Sequence, residues 1–317
     1  MIEVIRCGVQ TTVQDLGRVG LRHWGIAQCG AMDPLALQHA NLLLGNAQGA
    51  AALELSVGPL VLCFHKACRI VLTGVDFSAY TVDADGEAQT PLLPGHPATI
   101  GVGMSLHLPR PAIPGARAYL AFSGGINVPK VLGSRSTDLA AGFGGYYGRA
   151  LQTGDTLPLG RERPAPVHLP YGIRSLAPSH VLRALPGPDY DAFSEEAHHQ
   201  FWMLPWRITH QSNRMGLRLN GGSLALRAPL DLLSSGVLPG DVQVPPDGLP
   251  IVLGNDAQTL GGYPRIARVI QADLWQLAHM PPLTSVYFQP VTHALAVEAL
   301  QKQRRTMDRL AETLSGH

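Results

Sequence analysis

Lysine is scarce in this chain: Lys66, Lys130 and Lys302 are the only three in 317 residues, so arginine carries nearly all the positive charge. The formal net charge of +1 gives no overall pull toward nucleic acid or an anionic membrane, and neither is expected as a partner. Cysteine is sparse as well. Cys7, Cys29, Cys63 and Cys68 all fall in the first quarter, behind a strand-like start with no leader pattern. Reduced thiols in a cytoplasmic protein are therefore expected. Cys63, His65 and Cys68 have no fourth ligand at a metal-site spacing, and no metal is expected. No apolar run approaches the roughly 20 residues of a membrane span.

Several catalytic signatures are missing too. There is no GxxxxGK[ST] loop for nucleotide phosphates, no HExxH and no GxSxG. The glycine-rich run Gly142–Gly148 lacks dinucleotide spacing and is not followed by a strand-to-helix turn. Without a Met-Lys dipeptide the chain carries no biotin-carrier motif of its own.

What is present reads as strands. Hydrophobic residues make up 45% and charged residues 15%, enough for folded cores and too ordered a mixture for disorder. Strands are predicted at Ile2–Arg6, Leu60–Phe64, Arg69–Thr73, Thr99–Leu108 and Ala118–Ser123, and again at Val181–Leu185, Trp206–His210, Ile251–Leu253 and Ser285–Gln289. Asp83-Ala-Asp-Gly86 is a hairpin turn signal. Helices are few: Asp33–Gly45 (Asp33 as cap, Pro34 in the first turn, Gly45 as stop), about Asp189–Met203, and Ala294–Leu314. The fold class is mainly β, and the length suggests two domains. Arg18-Val-Gly-Leu-Arg22 recurs as Arg214-Met-Gly-Leu-Arg218, and Arg69–Gly74 echoes Pro250–Asn255, which suggests duplicated β domains joined at the proline-rich Arg163–Pro170.

The segment from Leu233 to Arg265 is dense in glycine and proline, yet it keeps Gln243, Asp247, Asn255, Asp256, Gln258 and Tyr263 between short apolar runs. Turn residues hold such polar groups in place, and amide side chains both donate to and accept from a lactam, ureido or carboxamide group. Asp256, Asp247 and Tyr263 are the candidate catalytic groups, an aspartate serving as base toward water or the amide nitrogen. Asn255, Gln258, Gln211 and Arg214 are candidate substrate contacts. So are Gln14 and Arg18 in Gln14-Asp15-Leu16-Gly17-Arg18, where an Asp15–Arg18 bridge is the alternative. In Gly133-Ser134-Arg135-Ser136-Thr137-Asp138, three hydroxyls and Arg135 are placed to hold a carboxylate or phosphate.

Four blocks in this order, residues 9–46, 123–145, 211–219 and 233–265, resemble the family of 5-oxoprolinase C subunits. That family includes the carboxyltransferase domain of urea amidolyase and KipA-like proteins. The resemblance implies two cyclophilin-like β-barrel domains, residues 1–163 and 179–291, with a linker at 164–178 and a C-terminal helical tail at 292–317. It also implies membership of an ATP-dependent 5-oxoprolinase complex that opens the lactam of 5-oxoproline to L-glutamate. The 5-oxoprolinase A subunit and a KipI-like B subunit would be its partners, with ATP bound at the level of the complex. The alternatives are a biotin-dependent carboxyltransferase acting on urea or another amide, with biotin supplied by another chain, or a KipA-like regulatory binding protein. The sequence departs from the family pattern at Ala257 (usually basic), Leu260 (a threonine), Gly254-Asn255 (an apolar pair) and Ser235 (a glutamate).

Overall fold

A computed structural model of the protein describes residues 1–87, 89–162 and 172–315. Most of the expected linker, with Arg163–Pro170, lies outside the described residues. The chain divides into two compact units, and the division is not sequential. Unit 1 takes Met1–Arg18, Cys29–Ala177 and the residues from Asp308 onward; unit 2 takes Val19–Gln28 and Pro178–Met307.

Unit 1 contains β1 (Ile2–Arg6), β2 (Thr12–Gln14), α1 (Pro34–Leu43), β3 (Ala52–Leu55), β4 (Leu60–Phe64), β5 (Cys68–Gly74), β6 (Tyr80–Val82), β7 (Gln89–Pro91), β8 (Ala98–Ile100), β9 (Ser105–Leu108), β10 (Ala118–Phe122) and β11 (Thr156–Leu157). They form a six-stranded sheet, β11-β1-β4-β9-β6-β7, and a five-stranded sheet, β2-β3-β10-β5-β8. Alternation decides which side faces in: on β4, Leu60, Leu62 and Phe64 are fully buried while Val61 and Cys63 are half-exposed. These side chains meet Ile70, Leu72, Leu120 and Phe122 of the other sheet in one core. The predicted strand at Thr99–Leu108 is two strands, because Gly101-Val-Gly103 turns the chain and Gly103 takes φ of +79°.

The other face of the five-stranded sheet carries α1, whose Leu37, Leu43 and Leu44 pack on Val71, Tyr119 and Ala121. Leu310 and Leu314 join that layer, which explains why the chain's last residues group with unit 1. The start of α1 is fixed twice. Asp33 caps it by accepting from the Ala36 N–H at 2.9 Å, and the Asp33 N–H donates to the Tyr119 hydroxyl at 2.7 Å. That hydroxyl donates to Glu54 at 2.9 Å; Glu54 also accepts from Arg117 at 3.1 Å and from the Met32 N–H at 2.9 Å. Burial, with the Glu54 charge beside it, holds the Tyr119 phenol well above its ordinary range.

Unit 2 contains β12 (Val181–Pro186), α2 (Glu195–Met203), β13 (Trp206–Ile208), β14 (Gly216–Asn220), β15 (Ser235–Gly236), β16 (Asp241–Gln243), β17 (Ile251–Leu253), β18 (Leu260–Gly261), β19 (Arg265–Val269) and β20 (Ser285–Pro290). Seven of these close a barrel in the order β12-β19-β16-β17-β14-β13-β20. The closing pair, β12 with β20, is parallel. Trp206, Val242, Val252 and Ile266 are fully buried, and Phe201 of α2 stacks on Phe288 of β20 at 4.5 Å. The pair β15–β18 forms a separate two-stranded ribbon. α2 starts six residues later than the sequence suggests, because Tyr190–Ala192 make a 3-10 turn and Ser194 is the cap. α3 (His293–Ser315) ends the described chain, its residues dividing between the units after Met307.

Only part of the internal echo corresponds to one local structure. Arg18–Arg22 runs from a loop into a 3-10 turn, whereas Leu217 and Arg218 lie within β14. Arg69–Gly74 lies in β5, beside β10 and β8, and the matching Ile251–Leu253 is β17, beside β14 and β16. Short matches of arginine, glycine and leucine arise where backbones differ.

Among the described residues no three of His, Cys, Asp and Glu gather as metal ligands, and no helix is long and apolar enough to cross a membrane. His65 pairs with Glu3 at 2.8 Å, and burial pushes the Cys68 thiol up to about 11.

Asp155 gives the fold a measurable acid response. Burial raises its pKa, but the Arg149 guanidinium, bound through both nitrogens at 2.7 Å, and the Gln152 N–H outweigh that and leave it lowered. A depressed carboxylate adds stability above its unfolded pKa and loses it as pH falls through the folded value. Asp155→Asn is therefore expected to be less stable than the parent at pH 7 in urea unfolding. The difference should shrink to nothing as pH drops below the normal aspartate range; a gap independent of pH would show that charge plays no part.

Candidate functional site

Two loop systems carry the polar residues singled out in the sequence, one in each unit. In unit 1 the centre is Asp15, which follows β2 and is 7% exposed. Its Oδ1 accepts from the Gly17 N–H at 2.8 Å and from the Ser134 and Ser136 hydroxyls, each at 2.6 Å. Its Oδ2 accepts from the Arg135 N–H at 2.6 Å. Two of the three hydroxyls of 133–138 do hold a carboxylate, and it is the protein's own; Thr137 donates to the Val13 carbonyl instead. No Asp15–Arg18 bridge forms among the described residues.

Gly30 secures the same loop from the other side. Its φ is +85°, and a Cβ there would lie 2.8 Å from the Gly17 nitrogen, so only glycine allows this approach. The neighbouring Ala31 N–H then reaches the Asp15 carbonyl at 2.9 Å.

Gln14 and Arg18 are not substrate contacts, because burial removes them from solvent. Gln14 is 0% exposed and donates to Thr12 and to the Thr137 carbonyl; Arg18 is 1% exposed, reaches the Val131 and Ser136 carbonyls and lies 4.6 Å over the Phe143 ring. Gln14 Oε1 and Arg18 Nη1 have no partner among the described residues, and buried atoms of this kind are ordinarily met by ordered water. Arg135 is better placed. Its Nε and Nη2 are tied to the Val128 carbonyl and Asn127 Oδ1 at 2.8 and 3.0 Å, which fixes the guanidinium in orientation.

These loops border an open cleft of about 420 Å³ lined by Asp15, Gly17, Asn46, Gly124, Lys130 and Arg135, with other small residues between them. Asn46, just past α1, braces the wall by accepting from the Gly124 N–H and donating to the Phe122 carbonyl, each at 2.8 Å. Lys130 and Asn46 were missed as site residues. The signal for Lys130 was its rarity: one lysine of three falls inside the block 123–145.

In unit 2 the structure joins Asp256 to Arg214. Arg214 Nε and Nη2 each donate to one Asp256 oxygen at 2.7 Å, and both side chains are buried. The bidentate guanidinium fixes both oxygens, and at 8% exposure the carboxylate is withdrawn from the surface where a substrate would bind. The pair is thus a structural clamp between the turn before β14 and the loop after β17, which corrects the reading of Asp256 as base and Arg214 as substrate contact. Asp247 is an exposed turn residue accepting from the Leu249 N–H at 3.0 Å, which accounts for its position without a catalytic role. Gln211 is exposed in the turn after β13.

Asn255, Gln258 and Tyr263 stay at the rim: Asn255 is half-buried, Gln258 is exposed, and Tyr263 is 47% exposed. Gln258 Nε2 lies 3.5 Å from Gln243 Oε1. Ala257 is fully buried against Val237 and Leu253, and beside Arg214 a second guanidinium, that of Arg22, meets this loop. Arg22 donates to the Val237, Gln258 and Ala257 carbonyls at 2.8, 2.6 and 3.4 Å. It, too, was missed. Leu260 and Ser235 lie on the exposed β15–β18 ribbon.

Residues 24–290 match the family described as carboxyltransferase domain, subdomain A and B. The chain is 45% identical to the C subunit of 5-oxoprolinase from Escherichia coli K12 over 98% of both chains. It is 38% identical to the protein of the same name from Haemophilus influenzae, over 98% of this chain and 97% of that one. Urea amidolyase of Lachancea kluyveri is 31% identical across 98% of this chain, which spans 18% of that longer protein. Among solved structures, K. lactis urea amidolyase superposes with a TM-score of 0.88 at 28% identity, covering 98% of this chain and 20% of that one.

The two buried aspartates should report on stability in different ways. Asp256→Asn removes the carboxylate charge that faces the buried Arg214 guanidinium and is expected to cost about 3–5 kcal/mol in urea unfolding. Asp15→Asn presents an amide donor to groups that are all donors and is expected to cost about 1.5–3 kcal/mol. Stability within about 0.5 kcal/mol of the parent for either variant would show that its carboxylate does not hold the loops together.

Proposed function

The chain belongs to the carboxyltransferase-domain family, subdomains A and B, and from that premise we propose that it is the C subunit of an ATP-dependent 5-oxoprolinase. The observation that carries this is the 45% identity, over 98% of both chains, to a protein named as the C subunit of 5-oxoprolinase. The similarity to that C subunit, at 45% identity, exceeds the 31% to urea amidolyase, of which this chain spans 18%.

In this reading the complex hydrolyses the lactam of 5-oxoproline to L-glutamate. Opening a five-membered lactam is uphill near neutrality, so ATP has to activate the carbonyl. This chain has no recognisable phosphate-binding loop, and we assign ATP to the complex, with the 5-oxoprolinase A subunit and a KipI-like B subunit as partners. The contribution of this chain is to hold the small amide. Rim groups that both donate and accept, Asn255 and Gln258 with Tyr263 nearby, suit a lactam N–H and C=O. With Asp256 engaged by Arg214, the base that activates water is assigned to one of the partners.

Co-expression with the A and B subunits of 5-oxoprolinase from the same genome tests this directly. A co-purifying complex that releases glutamate from 5-oxoproline only when ATP is present is the expected result, with Gln258→Ala lowering kcat/KM about ten-fold or more, the loss of a hydrogen-bonding side chain at a polar substrate. Failure to form a complex, or urea-dependent turnover with a biotinylated partner instead, would refute it.

A further inference from the structure

We propose that the unit 1 cleft beside Lys130 is a binding site for the oxyanion group, carboxylate or phosphate, of a small ligand. Three features lead there. The first is charge. Asp15, the acidic group on the cleft wall, already accepts four hydrogen bonds from Gly17, Ser134, Arg135 and Ser136, and so needs no cation. Lys130 and Arg135 line the same cleft, and among the described residues neither has a carboxylate within ion-pair distance. Two cations therefore face the cleft with their charge unspent.

The second feature is preorganisation. Two of the three Arg135 guanidinium nitrogens are bound to Val128 and Asn127, leaving Nη1 on a fixed plane. Lys130 leads into a tight turn closed by Val131 and Ser134 through reciprocal backbone bonds at 2.8 and 3.2 Å. Both central residues of that turn have positive φ: Leu132 at +53° and Gly133 at +82°. A leucine held in the left-handed region is strained, and such strain persists where surrounding bonds over-determine it, here the Asp15 contacts to Ser134 and Arg135.

The third is access. A Cβ on Gly133 would meet no atom within 4 Å, so the turn's backbone is open. A cleft of about 420 Å³ holds a ligand the size of an amino acid with room to spare. One lysine and one guanidinium edge suit an anion of low charge, and a lone ammonium is an effective point partner for carboxylate or phosphate. The oxyanion site stands on these features alone; its assignment to the carboxylate of 5-oxoproline rests on the proposed 5-oxoprolinase function.

Titration calorimetry on the full chain, and on its complex with the A and B subunits, at low ionic strength tests the site with three probes: 5-oxoproline, its carboxylate-free analogue pyrrolidin-2-one, and inorganic phosphate. The expected result is binding of 5-oxoproline that weakens about ten- to a hundred-fold in Lys130→Gln, is unchanged in the charge-matched Lys66→Gln, and is not matched by pyrrolidin-2-one. Lys130-dependent binding of phosphate in place of 5-oxoproline also supports the site and assigns it to a phosphoryl group. Equal binding of 5-oxoproline and pyrrolidin-2-one, binding indifferent to Lys130→Gln, or no anion bound by chain or complex overturns it. If Lys130-dependent binding persists in a complex with no 5-oxoproline turnover, the function falls and the site stands. If turnover is intact and Lys130→Gln alters neither binding nor kcat/KM, the site falls and the function stands.

Discussion

Asp15 carries a negative charge that is held by neutral donors and no cation: two backbone N–H groups and two hydroxyls converge on its two oxygens. Charge-assisted bonds of this kind are about twice as strong as neutral ones, and each fixes the position of its donor. Because the donors come from Gly17 on one side and from Ser134, Arg135 and Ser136 on the other, the carboxylate locks together loops more than a hundred residues apart in sequence. The strained turn at Leu132 is held by that lock, while the Arg135 guanidinium takes its orientation from Val128 and Asn127. Gly30 completes it by letting a third backbone segment come within contact of Gly17, a position where any side chain would collide. The cleft is shaped before any ligand arrives.

Unit 2 is organised differently, by guanidinium groups. Arg214 spans Asp256 with two short bonds, and Arg22 gathers carbonyls from both Val237 and the loop at 257–258. Carbonyls and a carboxylate left unpaired in a buried loop would each cost free energy, and arginine's forked donors meet several at once. The arginine excess, read from composition alone, thus has a structural use in at least these two positions.

Much of the fold was legible because its signals are local. Alternation placed Leu60, Leu62 and Phe64 inward, and Asp33, Pro34 and Gly45 marked the ends of α1. Where glycine interrupts a run, as at Gly101 and Gly103, the apolar pattern continues through a turn and hides it. The site was legible in part. The blocks that carry the polar residues do form the loops of interest, yet the role of each side chain depends on a partner far away in sequence. Gln14, Arg18 and Asp256 are chemically able to bind a ligand, and the sequence does not say that Thr137, Val131 and Arg214 have taken them first. Conversely, Lys130 and Arg22 lacked any motif of their own. One was visible as a rare residue and the other only as half of a misleading echo.

5-Oxoproline and urea share a planar N–C=O group, so an amide side chain satisfies either and discriminates poorly between them. They differ in one respect that a protein can read strongly: 5-oxoproline carries a carboxylate. Selectivity is greatest where a built polar group is left unpaired by the wrong ligand, since an unmet buried charge or donor costs more than a missing apolar contact. The half-buried guanidinium edge of Arg135, fixed by Val128 and Asn127, is nearer to such a group than the exposed Lys130. In the proposed reading the oxyanion contacts carry that selectivity, and the Asp15 lock, by meeting its own charge with neutral donors, is what leaves Lys130 and Arg135 available for them.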